Sequence, residues 1–162
     1  MTSSVDLSPR FRVRAAAVLL LVTAVFIAVA WSQLFFGAGN DPRDTIGSRA
    51  AGFGFTDHAH DTLYSAIPLA LPLVAALSTT HGGVRLVAVV EYGVLIVTGA
   101  LITGAAFVFG LDVAEQQRAG FDTVFVDTRS AVEALLLDLG LLTLVVVAML
   151  GCLRAWLRGR AA

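Results

Sequence analysis

Residues 84–110 read VRLVAVVEYGVLIVTGALITGAAFVFG, an apolar run with a single base, Arg85, near its start and a single acid, Glu91. At 1.5 Å per residue a helix of this length spans about 40 Å, against roughly 30 Å of bilayer hydrocarbon. The run therefore crosses a membrane with room for tilt or a projecting end. Three more apolar runs accompany it, at residues 15–36, 61–80 and 130–153. Across all 162 residues, 57 % are hydrophobic and only 14 % charged, against a soluble norm of about 25 % charged. The predicted fold is an all-α membrane protein, a four-transmembrane-helix bundle running up-down-up-down.

The second run carries Pro68 and Pro72. In a helix beginning near Asp61, each removes an N–H and frees the carbonyl four residues earlier, so a helix kinked at these prolines is expected. The first run follows Arg10, Arg12 and Arg14 and ends near Trp31, placed to sit in the headgroup zone. A basic stretch, an apolar stretch and Ala28-Val29-Ala30 also have the form of a cleaved signal peptide, but the apolar run continues through Leu34, Phe35 and Phe36. A retained helix fits better.

The domain plan is a cytoplasmic arm over 1–14, one transmembrane domain over 15–156 and a tail over 157–162, with outer loops at 37–60 and 111–129. The first loop is rich in Gly, Asn and Pro turn formers; the second holds Asp112, Glu115, Asp122 and Asp127. Seven of the eleven Arg fall in the N-terminal arm, the 81–85 turn and the C-terminal segment. The positive-inside rule then places both termini in the cytoplasm. Every basic residue is Arg and none is Lys, a composition expected of a bacterial chain, hence of the bacterial inner membrane.

Several function classes are poorly served. A formal net charge of −1 offers no basic face for nucleic acid. No phosphate loop, dinucleotide fingerprint or Gly-x-Ser-x-Gly is present. The single Cys152 excludes an internal disulfide and a Cys-x-x-Cys site. The three His do not lie at matching depth on facing helices, as an intramembrane haem would need.

Two groups of residues could carry chemistry. Asp57, His58, His60 and Asp61 cluster at the outer end of the second run, and Glu133 begins the fourth. Imidazole and carboxylate suit a divalent metal such as zinc. The cluster equally suits a solvated helix start, with Asp57 or Thr56 as N-cap. No other cofactor is expected.

The second group lies inside the spans. A carboxylate at mid-helix costs roughly 2.5–3.5 kcal/mol on insertion scales, so Glu91 and Asp138 should face the bundle interior. Their positions put them in opposite leaflets. Each could sit protonated and donate to a kink carbonyl or to Thr98, Thr103 or Thr143, and with Tyr92 they could form a proton path. Gly99-x-x-x-Thr103 and Ala100-x-x-x-Gly104 permit close helix approach.

The expected function is that of a small non-enzymatic membrane protein acting through helix and loop contacts as an accessory subunit. Its partners would be the lipid bilayer and a second copy or another membrane protein, not nucleic acid. A proton- or ion-coupled transporter or channel using Glu91 and Asp138 is the first alternative, and a metal-binding membrane protein the second.

Overall fold

The computed structural model describes residues 8–36, 66–120 and 128–160. They form helices α1 (Pro9–Phe36), α2 (Ala66–Ser78), α3 (Gly82–Arg118) and α4 (Thr128–Arg160). No strand occurs among the described residues. Three stretches, Pro9–Ser32, Gly82–Gly104 and Ala131–Arg160, are long and apolar enough to cross a bilayer. The protein is a helical membrane protein.

Local chemistry explains the helix ends. Ser8 caps α1: its Oγ accepts from Phe11 N–H at 3.3 Å, and Pro9 takes the first helical position, where its missing N–H loses nothing. The helix thus starts before residue 15, and Arg10, Arg12 and Arg14 ride on its first turns. In α2, Pro68 is the third helical residue. The carbonyl four residues before Pro68 lies outside the described residues, while Pro72 leaves the Pro68 carbonyl without its intrahelical donor.

Helix α3 runs on past Gly110 to Arg118, through a stretch read from the sequence as the start of the acidic 111–129 loop. Leu111, Ala114, Glu115, Gln116 and Gln117 are good helix formers, and nothing before residue 119 breaks the helix. The stop comes at Gly120, whose φ of 79° is left-handed. There Ala119 N–H donates to the Glu115 carbonyl at 3.0 Å and Gly120 N–H to Gln117 at 3.1 Å. At 37 residues, α3 is about 55 Å long and must project beyond the hydrocarbon. Helix α4 likewise continues to Arg160, with Arg158 and Arg160 in its last turn opposing the helix dipole.

Helices α2 and α3 each pack against all three others, and the most extensive contact joins α3 to α4. Tyr92 reaches Leu69 and Leu73, and Arg85 reaches Ala76, so α2 runs antiparallel to the first half of α3. Gly110 meets Ala131 while Arg85 meets Ala155, so α4 is antiparallel to α3 as well. Trp31 bonds to Thr98, and five described residues of α1 follow Trp31. Because α1 packs chiefly on α2, which lies beside the earlier part of α3, the residues before Trp31 must run that way. Helix α1 is therefore parallel to α3.

The radial pattern is that of a protein in lipid. Leu137 is 57 % exposed and its neighbour Asp138 only 1 %. Apolar side chains such as Leu21, Leu136 and Leu144 face outward, while Thr23, Glu91, Thr98, Thr103 and Asp138 are buried. Small residues line the contacts, with Ala16, Ala30, Ala75, Ala76 and Ala88 fully buried. In lipid, where apolar burial gives no advantage, such close contact is what holds helices together.

Candidate functional site

The polar groups of α3 fall into three settings. The first is structural. Tyr92, fully buried, inserts its hydroxyl between two backbone groups of α2, donating to the Leu69 carbonyl at 2.5 Å and accepting from Leu73 N–H at 3.2 Å. These are the two groups that an undistorted helix pairs with each other. The bridge lies one residue from Pro72, where a neighbouring bond is already missing. Tyr92 thus supplies the internal hydrogen-bond partner that a proline-interrupted helix needs inside a membrane.

Arg85 and Thr98 have the same character. The Arg85 guanidinium donates from Nε to the carbonyls of Ala76 at 3.2 Å and Thr79 at 3.0 Å. From Nη1 it donates to the Ala155 carbonyl at 2.8 Å. It satisfies carbonyls at the end of α2 and ties them to α4. A Cβ built on Gly159 would lie 3.0 Å from Nη1, so glycine makes room for this staple. Thr98 accepts from the Trp31 indole N–H at 2.8 Å and donates to the Val94 carbonyl at 2.7 Å. Trp31 thus turns its indole N–H to an interior threonine; a half-buried indole N–H needs such an acceptor.

The second setting is the buried acids. Glu91 is 7 % exposed and Asp138 1 %. Both turn toward the bundle interior, as intramembrane carboxyls do. No hydrogen-bond partner reaches Glu91 Oε2 or the buried Thr103 Oγ1. The antiparallel register brings Asp138 level with Thr103, and Cys152 within a turn of Glu91 and Tyr92. Glu91 lies twelve residues from Thr103, or about 18 Å along the axis, so the two acids occupy separate levels. Thr143 is exposed to the lipid side and donates to its own helix at Leu139.

The third setting is the small residues. Gly99 and Thr103 are buried, whereas Ala100 and Gly104 are exposed. A Cβ built on Gly104 meets nothing within 4 Å. The two interleaved motifs thus face different ways, about 100° apart: one is turned inward and, among the described residues, the other is left open.

No family model, curated protein or solved structure matches this chain.

Asp57, His58, His60 and Asp61 lie outside the described residues. Glu133 is described: it is exposed and pairs with Arg129 at 2.8 Å, an i,i+4 surface contact of about 0.3–0.5 kcal/mol. Among the described residues no three His, Cys, Asp or Glu side chains gather closely enough to hold a metal ion. Sequence reasoning did not assign Arg85 its role. Its position just inside a span and next to a short turn is the signal that could have found it.

Proposed function

We propose that this chain is a four-span bacterial inner-membrane protein with both termini in the cytoplasm, its second crossing kinked at Pro68 and Pro72. It acts without enzymatic chemistry, as an accessory subunit whose α3 receives a second membrane helix. The observation that carries this reading is the outward pair Ala100 and Gly104, exposed and with open space at the glycine. Exposed Val97, Leu101 and Val108 flank it. Small residues four apart let two helix backbones approach closely, and their worth comes from dispersion and weak backbone contacts rather than from burial against water. A motif of this kind turned to lipid meets no partner helix among the described residues. It fits a helix from outside, either a second copy or another membrane protein.

The polar groups of α3 favour the same reading. Tyr92, Thr98 and Arg85 are consumed in holding α2, α1 and α4, which makes α3 a rigid platform for an outside helix. The test is disulfide crosslinking in native membranes, with Gly104→Cys in a Cys152→Ser background. A crosslinked dimer, or a crosslink to one co-purifying membrane protein, is expected, and Gly104→Ile should abolish association. A monomer with no partner in both variants contradicts the proposal.

A further inference from the structure

Glu91 is a buried carboxyl that the packing scheme does not use. Its side chain is turned inward, 7 % exposed, with Oε2 reached by no hydrogen-bond donor. A purely structural polar group in this position would be expected to find a partner, as Tyr92 and Thr98 do. A purely packing side chain would not be an acid, given the cost of carrying a carboxyl into a span.

The groups around it decide what it can bind. In α1 no charged residue follows Arg14, and the polar side chain at the level of Glu91 is the buried Thr23, which already donates to the Leu19 carbonyl. Helix α2 carries no charged residue over Ala66–Ser78. On α4 the titratable neighbour by register is the buried thiol of Cys152. On α3 itself, Tyr92 is committed to the α2 backbone, and Arg85, nearly two turns away, to the carbonyls of Ala76, Thr79 and Ala155. Among the described residues no cation faces Glu91, and no three His, Cys, Asp or Glu side chains gather there to hold a metal ion. An ionised carboxylate left so would bear its desolvation cost uncompensated. A proton is the one ligand that removes the charge without needing further partners.

We propose that Glu91 is a proton-binding site on the cytoplasmic half of the bundle, loading and releasing a proton while the protein stays folded. It lies nine residues from the start of α3, about 13 Å in, which is within reach of the cytoplasmic surface but not of the opposite one. The site thus exchanges with one side. It goes beyond the subunit role and does not depend on it, since Glu91 and Gly104 occupy different faces and levels of α3; that the near surface is the cytoplasmic one rests on the proposed topology.

The test uses a hydrophobic carbodiimide, dicyclohexylcarbodiimide, on wild-type protein in liposomes. The protonated acid adds its O–H across one C=N bond of the reagent to give an O-acylisourea. An acyl shift to nitrogen then gives a stable N-acylurea, so all atoms of both reactants stay in the adduct. Peptide mapping by mass spectrometry should find the adduct at Glu91, its yield falling several-fold as pH is raised across the neutral range. Glu91→Gln should lose that adduct and keep its far-ultraviolet circular dichroism. A protonated-carboxyl C=O infrared band that disappears with pH in the wild type, and is missing in Glu91→Gln, is expected as well. No adduct at Glu91 at any pH, or a yield that does not change with pH, overturns the proposal; both are read on wild-type protein, so misfolding of the variant cannot obscure them.

Discussion

Removing the Arg85 guanidinium should loosen the end of the bundle where α2, α3 and α4 meet. Its Nε hydrogen is shared between the Ala76 and Thr79 carbonyls, at 3.2 and 3.0 Å, and Nη1 donates to Ala155 at 2.8 Å. Two hydrogens thus serve three acceptors. Hydrogen bonds from a charged donor contribute about 1.5–3 kcal/mol each, so two would give about 3–6 kcal/mol. The Ala76 and Thr79 carbonyls lie at a helix end, where water can replace the donor, so Arg85→Ala should cost about 3 kcal/mol. Arg85→Lys should recover less than half of this, because an ammonium is a point donor that cannot straddle two helices as a planar fork does. The assay is equilibrium unfolding in mixed detergent micelles followed by circular dichroism. Gly159→Val should weaken the wild type in the same way by pushing on Nη1, and have little effect in the Arg85→Ala background. An Arg85→Ala protein within about 0.5 kcal/mol of wild type, the range of ordinary surface substitutions, would refute the staple.

Two further perturbations address contacts made by α3. Tyr92→Phe leaves Leu69 and Leu73 free to pair directly within α2, so the expected loss is about 1 kcal/mol rather than the penalty of two stranded backbone groups; a loss above about 3 kcal/mol in the same unfolding assay would mean the α2 ladder cannot close. A double-mutant cycle of Trp31→Phe and Thr98→Val should return a coupling of about 0.6–1.7 kcal/mol, the range for interhelical hydrogen bonds in membranes, and additivity of the two would show that the indole–threonine bond does not join α1 to α3.

Much of the architecture is legible in the sequence because it depends on local composition. The long apolar helices follow from run length, and the inward turn of Glu91 and Asp138 from the cost of charge in lipid. Helix ends are less legible. Residue 15 begins the apolar run, but the helix begins at Pro9, since the Ser8-Pro9 cap and not hydropathy sets the start. Acidic residues after Gly110 read as loop, yet good helix formers carry α3 on to a left-handed glycine at residue 120. The roles of Tyr92, Arg85 and Trp31 depend on partners 6 to 70 residues away, which a single sequence does not pair. Arg85 in particular reads as a topological charge, whereas the structure shows its guanidinium bonded to helix carbonyls.

The most direct test of the account is which membrane face each end of the helices occupies. Single cysteines at His81, Gln116 and Arg160, in a Cys152→Ser background, would be probed in intact cells with a membrane-impermeant maleimide. The account predicts that Gln116→Cys labels in intact cells, while His81→Cys and Arg160→Cys label only after the membrane is opened. Labelling of His81→Cys or Arg160→Cys from outside, or protection of Gln116→Cys, would contradict a four-span bundle with both termini in the cytoplasm.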